Sequence, residues 1–126
     1  MRLRPLDRRL TILRLEGDAA VPPWALDAPL ASITRRADEL SIVAPEDAVP
    51  AGIAGEPGWR ALEVQGPLDL SMTGVLAAIA TALAGAGLPI FAVSTHDTDL
   101  ILVREGDLES ATAALRKAGH EVDGRR

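Results

Sequence analysis

The chain has 126 residues, enough for one ordinary domain or for two small modules sharing a core. Its formal net charge of −5 argues against nucleic acid, which needs a basic face, and its three aromatics, Trp24, Trp59 and Phe91, offer no base-stacking platform. The absence of cysteine removes disulfides, thiol catalysis and thiolate metal sites together, and suits a reducing cytoplasm.

From the N-terminus, "MRLRPLDRRLTILRLEGD" carries no long apolar stretch after its arginines, so it does not read as a secretory signal. Within it, "RRLTILRLEG" (Arg8–Gly17) alternates apolar and polar residues imperfectly and predicts a strand. "DAAVPPWALDAP" is too rich in proline for more than a short helical turn. "LASITRR" and "ELSIVAP" predict a hairpin around Ala37–Asp38, and "PEDAVPAGIAGEPG" a shortened connection.

The second half reads more cleanly. "WRALEVQG" (Trp59–Gly66) is a strand stopped by Gly-Pro. Val75, Leu76, Ile79, Leu83 and Ala86 then recur at helical spacing, with Asp69 or Ser71 as the expected cap and Gly85, Gly87 and Pro89 as the stop. "IFAVSTHDTDLILV" follows as strand, polar turn and strand. A second helix has Asp107 as expected N-cap and Leu108, Ala111, Leu115 and Ala118 as its stripe, and His120–Val122 adds a short last strand. The longest mostly apolar segment, Val75 to Leu88, is too short to span a bilayer. A cytoplasmic protein without membrane contact is expected.

Strand, helix, strand, strand, helix, strand is the split βαβ order of an α+β, ferredoxin-like fold with antiparallel sheets. The first half keeps strand, connector, strand, strand but no long helix. Two tandem modules are therefore expected: residues 1–55 with degenerate short helices, and residues 56–126 complete.

The segments "VQGPLDLSMTGVLA", "AGLPIFAVSTHDTDLILV" and "DLESATAALRKAGHEV", in that order, resemble the ACT domain. The nearest type is the small bacterial protein of two tandem ACT-like modules, itself similar to the regulatory pairs of aspartate kinases and to arginine sensors. The resemblance covers Trp59–Val122 well and the first half loosely. It implies a non-catalytic protein without cofactor that binds a small ligand, usually an amino acid, at a module or subunit interface. A homodimer paired through the apolar run Ile90–Val93 fits that expectation.

Two stretches carry candidate site residues. In "GPLDLSMTG" (Gly66–Gly74), amides of Ser71, Met72, Thr73 and Gly74 at a helix N-terminus would receive a carboxylate, while Asp69 would meet an ammonium group. The plainer alternative is that Asp69 and Ser71 only cap the helix, a service worth about 1 kcal/mol. In "STHDTD", Ser94 and Thr95 sit at a strand end that the fold brings beside Asp69–Thr73, whereas His96, Asp97 and Asp99 read as a solvated hairpin tip with His96 pointing outward. The resemblance adds Ile90, Phe91, Ala92 and Val93 as backbone contacts.

A zinc site is disfavoured, because the tip lacks a spaced second histidine and His120 lies at the far end of the last helix. A catalytic triad is disfavoured as well, because "LSMTG" is no nucleophile elbow. Trp24 and Trp59 read as packing anchors. The rival to an amino-acid sensor is a protein-interaction module without a small ligand. An open polar pocket between Asp69–Thr73 and Ser94–Thr95 would favour the first, a dry packed surface the second.

Overall fold

The computed structural model describes residues 1–66, 68–69 and 71–124. In chain order it forms β1 (Arg2–Leu15), α1 (Pro23–Leu26), β2 (Ser32–Arg35), β3 (Leu40–Pro45), β4 (Glu56–Val64), α2 (Val75–Gly85), β5 (Ile90–Ser94), β6 (Asp99–Arg104), α3 (Leu108–Lys117) and β7 (Glu121–Val122). Two compact units result: Arg8–Gly58, and Met1–Asp7 together with the chain from Trp59 onward. This differs from the expected division at 55/56, because β1 begins at Arg2 and its first residues belong to the second unit.

That N-terminal stretch is a strand for a reason visible only in its partners. Leu3 and Pro5 are buried while Arg2 and Arg4 face solvent, the two-residue period of a strand with one covered face. Arg2 and Leu3 pair in parallel with Glu121 and Val122, and the Arg2 carbonyl accepts the Gln65 amide. The sheet of this unit thus runs β7-β1-β4-β6-β5, antiparallel at β4–β6 and β6–β5, with one parallel pair that the sequence did not announce. Arg60, buried on β4, donates through Nε and Nη2 to the Leu6 carbonyl and through Nη1 to Glu105, so its charge is compensated where it is desolvated.

Leu62 and Val64 of β4 and Ile101 and Val103 of β6 pack against Ile79 and Leu83 of α2 and Leu108, Ala111 and Leu115 of α3, with Leu3 and Val122 completing the core. Each fully buried leucine or isoleucine stabilises this packing by about 1.5–3 kcal/mol. Both helices end in the same way. The Gly87 and Leu88 amides return to the Ala84 and Leu83 carbonyls, and those of Gly119 and His120 to Arg116 and Leu115. Gly87 and Gly119 take φ values of 74° and 97°, which glycine alone adopts without strain. Ala86 and Ala118, expected in the apolar stripes, lie beyond the last helical residue and are exposed.

The Arg8–Gly58 unit has the strand order β2-β3-β1, all antiparallel, and the expected strand, short helix, strand, strand sequence. Leu13, Leu40, Ile42 and Ala44 form its core with Ala25, and Trp24 packs against them. Proline at 22 and 23 starts α1, and it ends after four residues. No helix among the described residues is long and apolar enough to cross a membrane.

Candidate functional site

The site begins where β4 ends. Two residues on, Gly66 passes beneath the β5–β6 hairpin so closely that a Cβ would lie 2.9 Å from the Asp97 carbonyl oxygen. The hairpin tip grips this exit from above. The Leu68 amide donates to the Asp97 carbonyl at 2.6 Å, and the Thr98 hydroxyl donates to the Val64 carbonyl. The tip itself is closed by the Thr95 amide on the Thr98 carbonyl, by the Thr98 amide on Thr95 Oγ1, and by Ser94 Oγ on Asp99 Oδ1.

Past Leu68 the loop folds on Asp69. Its Oδ1 accepts the Ser71 amide at 2.9 Å and the Ser71 hydroxyl at 2.8 Å, and its carbonyl accepts the Met72 amide. The Ser71 amide, and then its hydroxyl, hold the Asp69 carboxyl below the ordinary carboxylate range. Asp69 and Ser71 therefore shape the loop and do not cap α2, contrary to the expected capping role. The N-cap is Gly74, in the left-handed region at φ 81°, and no side chain bonds the first turn. Among the described residues, the amides of Val75, Leu76 and Ala77 have neither a helical acceptor nor a side-chain cap, while Ala78 makes the first helical bond, to Gly74. Asp107 likewise precedes α3 without a capping bond, because a 3-10 turn over Glu105–Asp107 leads into that helix.

Loop, helix start and hairpin enclose a cleft of about 240 Å³. Of the residues singled out from the sequence it brings together Asp69, Met72, Gly74, Ser94 and Thr95, and it adds Leu68, Val75, Leu76, Ala77, His96, Thr98 and Asp99. Ser71, Thr73, Ile90, Phe91, Ala92 and Val93 are not among its lining residues. Pro67 and Leu70 of the expected loop lie outside the described residues. His96, expected to point outward, is largely exposed, yet it stands on the rim with Nδ1 2.9 Å from Asp97 Oδ1. The signal for Val75–Ala77 was present in the helical period itself, since a helix start carries free amides whatever its side chains.

Charge is one-sided here. Asp69 and Asp99 line the cleft; among the described residues neither has an arginine or lysine partner, and no lysine or arginine lines the space. A larger groove of about 290 Å³ runs along α3, but Arg116 there is bound to the Val122 carbonyl and Asp123 to Arg2. Trp59 is buried with the Arg104 guanidinium 4.7 Å above its ring, and so serves packing.

Comparison with known proteins agrees with this architecture. A family model of the ACT domain matches residues 54–117, half of the chain. The chain belongs to the ACT domain family. A second family model, described as an N-terminal domain, matches residues 9–52 of this ACT protein. A crystal structure from Agobacterium tumefaciens is 38% identical, covers 99% of this chain and 93% of its own, and superposes with a TM-score of 0.91. A Vibrio cholerae protein of unknown function, described as a possible transport protein, is 18% identical over 90% of this chain and 85% of its own, with a TM-score of 0.75. The ligand-free regulatory subunit of aspartate kinase from Thermus thermophilus is 17% identical over 90% of this chain and 95% of its own, at 0.59. At these last two identities the likeness is one of fold. No curated protein matches the chain by sequence.

Proposed function

We propose that this ACT protein is a non-catalytic regulatory sensor that binds an amino acid in the cleft of its C-terminal unit. One observation carries the reading: among the described residues, the amides of Val75–Ala77 have no side-chain cap and share a cleft with Asp69 and Asp99, two carboxylates without cationic partners. A helix N-terminus attracts a carboxylate through direct hydrogen bonds and the dipole, and the aspartates complement an ammonium group. A volume of about 240 Å³ falls below the usual range for drug-sized ligands of ~300–1,000 Å³, which suits a small zwitterion. An open, polar-lined cleft is also the feature that separates a sensor from a pure interaction module, which would present a dry surface here.

The same proposal extends to assembly. Gly66 lies under the Asp97 carbonyl as Gly17, likewise two residues past its strand, lies under that of Ala37. Thr95 closes its turn on Thr98 as Arg36 closes on Glu39. These parallels support two tandem ACT-like modules, the first with its helices cut short. β5 is an edge strand of its sheet, and an unpaired edge supports a homodimer. Ligand binding would then act by shifting the population of module arrangements in a cytoplasmic assembly.

Isothermal titration with each of the twenty amino acids tests the reading. At least one is expected to bind, and Asp69→Asn to weaken it about tenfold, since a hydrogen bond to a charged group is worth ~1.5–3 kcal/mol. Silence from all twenty at millimolar concentration would remove the proposal.

A further inference from the structure

We propose that the N-terminal unit holds a separate ligand site, for a compact, neutral aliphatic molecule carrying one hydrogen-bonding group. The site is a hollow of about 210 Å³ beneath the connection that follows β3. In the C-terminal unit, β6 runs through a 3-10 turn, Glu105–Asp107, into α3, which lays Leu108, Ala111 and Leu115 into the core. In the N-terminal unit, β3 runs through the same kind of turn, Glu46–Ala48, into a loop instead of a helix. The cross-strand pair beneath that loop is Thr11 of β1 and Ala44 of β3. Two small side chains on one face leave depth that a helix would otherwise cover.

One group in the hollow asks for a ligand. Thr11 is 5% exposed, and among the described residues its hydroxyl has no hydrogen-bond partner. The hydroxyl points at the loop, since a Cβ on Gly55 would lie 2.8 Å from Thr11 Oγ1, and both residues line the hollow. Buried hydroxyls are nearly always bonded, and leaving one unpaired carries a cost that a ligand can remove. A hydroxyl both donates and accepts, so a carbonyl, hydroxyl or amide would satisfy it. The walls are otherwise apolar, from Val49, Pro50, Ile53 and Pro57. Their one carboxylate, Glu46, is already engaged: Oε2 accepts the Gly58 amide at 2.6 Å and lies 3.6 Å from Arg9 Nε. That pairing leaves no net charge to match, so a charged ligand would lose water without gaining a partner.

The test is a proton–nitrogen NMR titration of the full chain with isobutyramide, isobutyrate and isobutylamine, one shape in neutral, anionic and cationic form. Isobutyramide is expected to shift the amides of Thr11, Ala51, Gly52 and Gly55, and the charged probes to bind about tenfold more weakly. Thr11→Val keeps the shape and removes the hydroxyl. It should weaken isobutyramide about fivefold, the worth of one neutral hydrogen bond. Its urea midpoint should stay at or above the parent value, because no bond within the chain is lost. Gly55→Ala sets a methyl against Thr11 and should block binding. No shift of these amides at high millimolar isobutyramide overturns the proposal, as does equal affinity for the parent and Thr11→Val. A lowered urea midpoint in Thr11→Val overturns it too, by showing the hydroxyl bonded within the chain. Charged probes that bind as tightly as the amide overturn the neutral preference. None of these outcomes depends on amino-acid binding in the C-terminal cleft.

Discussion

The two units start from the same order of elements and differ at two connections, of which the one after the first strand bears on the cleft. In the C-terminal unit it leads to an eleven-residue helix whose first turn is left open to a cleft. In the N-terminal unit it leads to a four-residue helix, and Arg35 of β2 reaches into the loop to donate to the carbonyls of Gly17 and Ala19. One loop is thus braced by an arginine from the neighbouring strand, and the other by Asp69 and the hairpin tip. Among the described residues neither helix start receives a side-chain cap, so the units differ here in helix length and in the arginine that braces the N-terminal loop.

Substitutions at the matching positions sharpen this contrast. The largest effect is expected from Gly17→Ala, where a Cβ would run into the Ala37 carbonyl and backbone would have to move. A loss of about 3 kcal/mol in urea unfolding is expected, the upper end for overpacking. Gly66→Ala meets the Asp97 carbonyl at 2.9 Å, a milder clash, and should cost about 1–2 kcal/mol. It should also displace the Leu68–Asp97 clasp and weaken amino-acid binding, a second effect that calorimetry would detect and that Gly17→Ala would lack. Equal effects of the two on binding would break the contrast. Arg35→Met leaves the Gly17 and Ala19 carbonyls to water at an exposed site and should cost about 1 kcal/mol, read from the urea midpoint.

The smallest effect concerns His120, whose pKa is lowered first by burial and then by the Met1 amine. A lowered value means the folded state prefers the neutral ring. The stability this supplies is therefore complete above the ordinary histidine value and is lost as pH falls through the lowered one. His120→Gln should flatten the fall in urea midpoint between pH 7 and pH 5.

Most of the second unit was legible because its signals are local. Period-3.6 apolar spacing gave α2 and α3, and Gly87 with Pro89, and Gly119, marked their ends. Strand Arg2–Asp7 was not legible, because a proline and alternating arginines look unlike a strand until Gln65 and Val122 are known to flank it. The cleft was legible in part. Asp69, Ser94 and Thr95 stood out by chemistry and by their place in the topology, whereas Val75–Ala77 contribute backbone, signalled only by the helical period and lying just past the expected Ser71–Gly74 amides. The capping expectation failed at Asp69 because its short side chain found the Ser71 amide before the helix began.

The pairing of Leu3 with Val122 also constrains how the chain comes to be folded. Its partners are separated by nearly the whole sequence, and contacts of such separation form late because the intervening chain must first be confined. During synthesis residues 8–58 can condense while the ribosome is still working, but the second unit must wait for its last strand. Until those two ends meet, Leu62 and Val64 of β4 lack the cover that Leu3 and Val122 add to the core they share.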